Sequence, residues 1–211
     1  MKYLYTPPGF LKKWFPEFIW NSHTNKILLT FDDSPNEQTT EIILDSLDRN
    51  SLKACFFCVG SQILRNPGLM KEIIDSGNTV GNHSKSHSSL IYRGRRDLVT
   101  QIRSVNELLI DNFGYIPKYF RPPYGLFNLQ TRKVVNELGL KMIVWSLFTF
   151  DYKNDLNIVK FVLDKYLAPN SIIVMHDNEK TKNIISDEID IVLETVSRKG
   201  FEIGEPPECL S

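Results

Sequence analysis

The 211-residue sequence lacks the features that mark several large protein classes. It has only three cysteines, an odd number, so a disulfide framework is not expected. Lysine plus arginine and aspartate plus glutamate both total 25, which gives no electrostatic reason to expect a nucleic-acid or anionic-membrane partner. Linkers, low-complexity tracts and internal repeats are also missing. With 42% hydrophobic residues, the chain is best interpreted as one folded domain.

Long hydrophobic runs are missing as well. No apolar stretch near the N-terminus has the length of a signal peptide or a membrane span, so we expect a cytoplasmic protein, with export by another route left open. We interpret residues 1–25 as an aromatic-rich extension, 26–204 as the domain and 205–211 as a tail. The extension either packs on the domain, which is favoured, or forms an amphipathic surface element through its aromatic side chains Trp14, Phe15, Phe18 and Trp20.

What is present is an alternation of strand-like and helix-like segments along the whole chain. Apolar β-rich runs lie at 26–31, 53–59, 79–81, 119–121, 140–145, 171–175 and 201–203. Segments with helical periodicity lie between and after them, at 39–50, 68–77, 96–114, 128–139, 157–167 and 186–200. Such alternation predicts parallel βαβ units, which either close into a (β/α) barrel or remain a doubly wound sheet. The first strand is not followed by a G-x-G-x-x-G turn, and this weighs against dinucleotide binding.

Residues capable of catalysis fall where the predicted strands end. Two adjacent carboxylates, Asp32 and Asp33, follow the first strand, and His83 and His87 follow the third. Later strands are followed by Arg121, Pro122, Pro123 and Tyr124, by Asp151 and Tyr152, and by His176 and Asp177. The carboxyl ends of parallel strands meet at one edge, where active sites usually lie. We therefore expect these side chains to share one site.

The H-x-x-x-H spacing of His83 and His87 indicates a metal site. On one helical turn, two imidazoles four residues apart can reach the same ion. Two histidines and one aspartate leave coordination positions open for water or substrate, as catalytic rather than structural sites do. The second carboxylate of the Asp32–Asp33 pair is then free to act as a base, and a nearby cation such as Arg121 reduces the repulsion between the two anions.

In these residues the sequence resembles the polysaccharide deacetylases, also called the NodB-homology domain or carbohydrate esterase family 4. The resemblance covers about residues 26–204 and rests on five motifs in order. They are Thr30-Phe31-Asp32-Asp33-Ser34-Pro35 for T-F-D-D-G-P, His83-Ser84-Lys85-Ser86-His87 for H-S/T-x-x-H, Arg121-Pro122-Pro123-Tyr124 for R-x-P-Y/F, Phe148-Thr149-Phe150-Asp151-Tyr152 for D-x-x-D-W, and Val174-Met175-His176 for L-x-H.

The resemblance implies a distorted (β/α) barrel of about seven parallel strands and a metal-dependent hydrolase that removes N-acetyl groups from aminosugars in substrates such as peptidoglycan or chitooligosaccharides. It implies one divalent ion, in this family most often zinc. The implied site residues are the metal ligands Asp33, His83 and His87, the general base Asp32, the general acid His176, the supporting residues Arg121 and Asp151, and the substrate-binding residues Tyr124, Pro123, Tyr152 and Val174.

Three positions depart from the family pattern. Ser34 replaces a glycine, which removes free access to positive φ at that turn. Phe148 replaces the first aspartate of the fourth motif and Tyr152 replaces its tryptophan, so one wall of the groove is less polar at one point and smaller at another. Because the acid, base and ligands are all present, we expect an active enzyme with altered substrate preference.

Three alternatives remain at this stage. The substrate can be another acylated sugar, small or lipid-linked. The chain can also be a non-catalytic carbohydrate-binding homologue, although the retention of Asp32 and His176 weighs against this. An iron oxygenase with two histidines and one carboxylate has the right ligand count, but it leaves the free Asp32 and the nearby His176 unexplained.

Overall fold

The computed structural model describes residues 5–211, and within them seven strands form one parallel sheet. The strands are β1 Leu28–Ser34, β2 Cys55–Cys58, β3 Thr79–Asn82, β4 Tyr119–Phe120, β5 Lys141–Met142, β6 Leu147–Phe148 and β7 Ile172–His176. Their order is β5-β4-β3-β2-β1-β7-β6, and every pairing is parallel. Because β5 and β6 end the sheet without pairing to each other, the curled sheet is an incompletely closed barrel. The predicted α/β fold class is confirmed.

Nine α-helices accompany the sheet in the described part of the chain. They are α1 Gly9–Trp14, α2 Thr40–Arg49, α3 Gly60–Arg65, α4 Pro67–Asp75, α5 Arg95–Phe113, α6 Leu129–Glu137, α7 Leu156–Tyr166, α8 Ile185–Arg198 and α9 Pro206–Leu210. The six predicted helices are confirmed, whereas α1, α3 and α9 were not predicted because each is only five or six residues long.

The helical boundaries follow local chemistry. A capping box, in which Asn128 and Thr131 each bond the other's backbone N–H, begins α6. The longest helix, α5, ends at Phe113, and the following Gly114 has a φ of 63°, a left-handed conformation that glycine adopts without steric cost. Both β1 and β2 are almost entirely buried, which matches their continuous apolar sequence and the helices that cover the sheet.

One predicted strand is wrong. Residues 201–203 contact the sheet only through an isolated bridge between Ile27 and Ile203, and the chain then enters α9. The strand that completes the set of seven is instead β6, which the sequence did not predict. It is only two residues long and pairs with β7 at Ile173 and Val174. A two-residue strand has no detectable alternation, so the segment after β5 gave no separate strand signal.

The N-terminal segment contacts both ends of the sheet. At one end, the Phe148 N–H of β6 donates to the Tyr5 carbonyl at 2.9 Å. Beyond β5, Ile19 accepts from the Val144 N–H and donates to the Met142 carbonyl, both at 2.9 Å. Phe18 and Trp20 are buried, whereas Trp14 is 70% exposed. The assignment of 1–25, 26–204 and 205–211 as separate units stays a prediction, and residues 1–4 lie outside the described residues.

Within residues 5–211, none of the helices combines the length and the apolar character needed to cross a membrane.

Candidate active site

The two carboxylates at the end of β1 are separated by a β-bulge. Asp32 is in register with Phe57 of β2, but the next paired residue of β1 is Ser34, so Asp33 lies between pairs. Asp33 also has a φ of 74°, which re-aims its side chain relative to a regular strand. Adjacent strand residues normally face opposite sides of a sheet, and this distortion allows both carboxylates to line one groove.

Arg121 neutralises the first carboxylate. Its guanidinium is fully buried and donates from Nη1 to Asp32 Oδ1 at 2.6 Å. The same nitrogen donates to the Thr30 hydroxyl at 2.8 Å, Nη2 donates to the Val144 carbonyl at 2.7 Å, and the group lies 4.0 Å from the centroid of the Phe57 ring. A buried cation with fixed partners holds the Asp32 carboxylate in place and reduces its repulsion with Asp33.

Asp33, His83 and His87 converge on one point. Each offers one ligand atom, and the three atoms lie within 4.8 Å of one another. His87 Nε2 is 3.1 Å and His83 Nε2 is 3.8 Å from Asp33 Oδ1. This oxygen is buried and has no hydrogen-bond partner among the described residues, which is the arrangement expected of an atom reserved for a cation.

The protonation of the two histidines fits a metal site. His83 Nδ1 lies 2.7 Å from the Arg121 carbonyl oxygen, so this nitrogen carries the proton and Nε2 keeps its lone pair toward Asp33. Burial and the neighbouring His83 lower the pKa of His87 to about 4, despite the opposing effect of Asp33 and Asp32. Both imidazoles are therefore suited to bind a divalent ion in the neutral form.

The expected helical turn between the two histidines is wrong. Residues 83–87 form a loop after β3, and Ser84 and His87 have φ values of 69° and 51°. The loop is fixed by the His87 N–H, which donates to the Ser84 hydroxyl at 3.2 Å, and by the Ser84 N–H, which donates to Asn82 Oδ1 at 2.8 Å. Left-handed backbone at two positions thus brings the imidazoles together without a helix.

His176, at the end of β7, is paired with Asp151. Asp151 is fully buried, and its Oδ1 lies 2.6 Å from His176 Nδ1, while its Oδ2 accepts from the His176 N–H at 2.5 Å. Burial favours the neutral imidazole, but the charge and hydrogen bond of Asp151, together with Asp33 and Asp32, outweigh it and raise the pKa of His176 to about 9. His176 is therefore protonated at neutral pH.

A groove of about 1060 Å³ is lined by Asp32, Asp33, His83, His87 and His176, whereas Arg121 and Asp151 lie behind this lining. Aromatic side chains form part of its wall: Tyr124, Trp145, Phe148, Phe150 and Tyr152. Polar and charged side chains contribute elsewhere, among them Asn36, Gln62, Arg65, Asn66 and Lys180. A concave site with an aromatic wall and polar groups suits a sugar, whose rings have apolar faces and hydroxyl edges.

The structure brings Tyr124 and Tyr152 to the groove but not Pro123 and Val174. Pro123 is buried at the start of a short 3-10 turn, and the Val174 side chain is fully buried within β7. Neither of them lines the cavity. The roles assigned to all the site residues from the sequence stay predictions, although their positions are now known.

Two residues beside the site were not assigned a role from the sequence. The Asn178 side chain donates to Asp33 Oδ2 at 2.7 Å, which leaves only Oδ1 free. Asp177 is fully buried and accepts from the Thr39 and Thr40 hydroxyls, each at 2.6 Å. Burial raises the pKa of Asp177 to about 6, although these hydrogen bonds oppose the change. Their position directly after His176 was the only available signal.

With this geometry in place, comparison with known proteins gives a consistent result. A family model described as polysaccharide deacetylase matches residues 21–143. A peptidoglycan-N-acetylglucosamine deacetylase of Listeria monocytogenes is 38% identical over 182 residues, which is 85% of this chain. The chain spans 38% of the length of that relative.

Solved structures agree with the sequence comparison. The Bc1960 peptidoglycan N-acetylglucosamine deacetylase has a TM-score of 0.86 and 27% identity, and the match covers 97% of this chain and 96% of the other. BA3943 of Bacillus anthracis, described as a pseudoenzyme of the same family, has a TM-score of 0.81 and 23% identity over 93% of this chain and 69% of its own, which supports the fold alone. Motifs, fold and family model together show that this chain belongs to the polysaccharide deacetylase family.

Proposed function

We propose that this protein is a metal-dependent hydrolase that removes N-acetyl groups from aminosugars in a glycan such as peptidoglycan or a chitooligosaccharide. The observation that supports this best is the convergence, in one groove, of an Asp–His–His cluster with a carboxylate and a protonated imidazole beside it. Family membership alone is a weaker argument, because BA3943 is described as a pseudoenzyme.

Asp33, His83 and His87 would hold the metal, and zinc is the ion we propose from the family resemblance. Their neutral imidazole and carboxylate donors are the ligands that zinc commonly takes in catalytic sites. When bound, the ion supplies Lewis acidity, which polarises the acetamide carbonyl and makes the attacking water more acidic.

Asp32 is the proposed general base. It lies beside the cluster, with its Oδ2 3.7 Å from His83 Nε2, and its other oxygen is bound by Arg121. One oxygen is therefore held while the other faces the groove, and this oxygen accepts the proton of the attacking water. Arg121 acts by orienting Asp32 through its charge-assisted hydrogen bond.

His176 is the proposed general acid. Cleavage of an amide needs a proton on the leaving nitrogen, since an unprotonated amine anion is too basic to depart. His176 is protonated at neutral pH because of Asp151, and the same pairing fixes its ring toward the groove. The C–N bond breaks as His176 transfers its proton, and the products are acetate and the free amine of the sugar.

The groove supports a sugar substrate but does not distinguish chain lengths. Tyr124 lies beside His87, with ring centroids 4.7 Å apart, and Phe148 meets His176 edge to face at 5.5 Å. A sugar ring bound between these aromatic side chains would place its acetamide near the cluster. Another acylated sugar remains the alternative substrate, and the cytoplasmic location stays a prediction.

Metal analysis combined with an acetate-release screen tests this function. Purified protein would be assayed on peptidoglycan, chitooligosaccharides and monomeric N-acetylhexosamines, before and after removal of metal with a chelator and after its restoration. We expect bound zinc and acetate release from at least one polymer, lost with the metal and regained with it. A protein that binds these glycans without any acetate release, fully loaded with metal, is a carbohydrate-binding homologue instead.

Histidine variants supply the matched control. His87→Ala removes a proposed ligand, and we expect both the metal content and the activity to fall. His23→Ala removes the one histidine outside the groove, which is exposed and hydrogen-bonded to the Ser211 carbonyl. Its metal content and activity should match those of the unmodified protein.

A further inference from the structure

Glu188 is a buried acidic residue that the proposed mechanism does not use. It lies in the first turn of α8 and has no exposed surface. Neither of its carboxyl oxygens accepts a hydrogen bond from the described residues. Burying an ionised carboxylate away from water and without any hydrogen-bond donor costs much free energy. A buried acid therefore normally takes up a proton or acquires a cationic partner.

The group that Glu188 faces is another acid, Asp151. Among the described residues, the neighbours that act on Glu188 are Asp151 and the non-titrating Thr149, whose hydroxyl donates to the Val174 carbonyl at 2.9 Å. Burial, and next the negative charge of Asp151, raise the pKa of Glu188 well above its usual range, although Thr149 opposes the change. Two carboxyl groups in contact share one proton, since both cannot be ionised without water.

Asp151 is the member of the pair that keeps the negative charge. It accepts hydrogen bonds from the Tyr152 N–H at 2.8 Å, the His176 N–H at 2.5 Å and the His176 ring at 2.6 Å. Asp151 therefore already has three donors, whereas neither carboxyl oxygen of Glu188 accepts a hydrogen bond from the described residues. This difference in donors favours Glu188 as the member that carries the shared proton, with Asp151 as its acceptor.

We propose that Glu188 is a positioning residue of the acid side of the site, a neutral carboxylic acid that donates its hydrogen bond to Asp151 and so tunes Asp151 as the partner of His176. This inference rests on the proposed function for its catalytic consequence. The donated bond partly neutralises Asp151, which keeps His176 acidic enough to transfer its proton to the leaving amine. It also holds Asp151 through α8, a helix that the catalytic motifs do not include.

Two variants separate this role from simple packing. Glu188→Gln keeps a neutral donor of the same shape, and we expect kcat/KM within about twofold of the unmodified protein. The decline of kcat/KM at alkaline pH should also be unchanged. Glu188→Leu keeps the bulk but removes the donor. We expect a loss of roughly tenfold in kcat/KM at pH 7, the size of one lost hydrogen bond to a charged group. The decline of kcat/KM at alkaline pH should also move to a pH about half to one unit higher, because Asp151 then attracts the imidazole proton more strongly.

A second measurement does not depend on activity. In zinc-loaded protein with ¹³C-labelled glutamate carboxyl groups, the resonance missing from Glu188→Gln identifies Glu188. We expect this carboxyl to remain protonated through pH 7, while surface glutamates titrate near their usual pKa of about 4.3. A Glu188 that ionises with the surface residues overturns the inference, and so does a Gln variant as impaired as the Leu variant. Absent deacetylase activity with a protonated Glu188 would instead count against the proposed function alone.

Discussion

At the scale of single residues, the site contains two acid–base groups, Asp32 and His176, with different surroundings. Asp32 is held by a fully buried Arg121, and His176 is held by a fully buried Asp151. Arg121 orients the Asp32 carboxyl group, whereas Asp151 both orients His176 and raises the pKa of its imidazole. A carboxylate and an imidazolium thus face the same groove at neutral pH.

Replacing Asp32 by asparagine tests the first pair. The amide would fill the same space but could not take a proton, and we expect acetate release to fall about 100- to 10,000-fold, the usual contribution of a general base. The metal content should be unchanged because the cluster is formed by Asp33, His83 and His87. Asp45→Asn, at an exposed site on α2, is the matched control and should have normal activity. Undiminished turnover of Asp32→Asn would remove this residue from the role of base.

The second pair predicts a pH dependence. The pKa of His176 is raised to about 9, so the acid is protonated below this value and is lost as the pH rises through it. We therefore expect kcat/KM to decline above about pH 9. Asp151→Asn removes the main charge that raises the pKa, so its decline should begin at least one pH unit lower. The measurement is a pH profile of both proteins, and an unshifted limb in Asp151→Asn would falsify the assignment.

At the scale of secondary-structure elements, the turns after the strands determine the geometry of the groove. The short 3-10 turn after β4 carries Tyr124, which has a φ of 59°, followed by Gly125 at 65°. A Cβ at Gly125 would overlap the ring of Trp145, which also lines the groove. Close packing of this turn against Trp145 therefore fixes one wall of the site.

Gly125→Ala tests this packing, with Gly139→Ala as its control. Gly139 has a φ of 71°, but a methyl group at this position would meet no other atom within 4 Å, so its alanine variant experiences backbone strain only, about 1–2 kcal/mol. Gly125→Ala adds the overlap with Trp145, and we expect a further loss of about 1–3 kcal/mol in the free energy of unfolding. Its KM should also rise. Denaturant unfolding and steady-state kinetics measure both effects, and equal stability of the two variants would show that the overlap is relieved without cost.

The elements also show what the sequence could and could not predict. Long periodic segments such as α5 and α8 were predicted close to their true bounds, and the strand ends correctly located Asp32, His83 and His176. The loop geometry of residues 83–87 was not predictable, because positive φ at Ser84 and His87 depends on tertiary contacts that no local pattern encodes. Glu188 was missed for a similar reason. In sequence it is one acidic residue of an amphipathic helix, and only packing shows that it is buried beside Asp151.

At the scale of the whole molecule, strand order assembles residues that are far apart in the chain. β1 lies between β2 and β7, and β3 follows β2, so the ends of the first, third and seventh strands open into one groove. The candidate metal ligands from β1 and from the loop after β3 are thereby brought close together. Metal binding at this point links two separate parts of the sheet and should stabilise the fold as a whole.

Thermal unfolding tests this linkage. At zinc concentrations about 100-fold above Kd, binding adds about 2.7 kcal/mol, which for a chain of this size corresponds to a rise in Tm of roughly 5–10 °C. His87→Ala should abolish most of the rise, whereas His23→Ala should retain it. Scanning calorimetry at several zinc concentrations measures the effect, and an equal rise in both variants would locate the stabilising ion elsewhere.

The contacts of Tyr5 and Ile19 with the two ends of the sheet have a consequence for biosynthesis. These residues are translated before any of the seven strands, yet their partners at β5 and β6 are translated only after most of the sheet has been made. Until then the early segment has nowhere to dock, and the backbone groups that it will later satisfy stay open to pairing with other chains. The contacts at the two ends of the sheet therefore form late in synthesis, although the segment that makes them is translated before every strand.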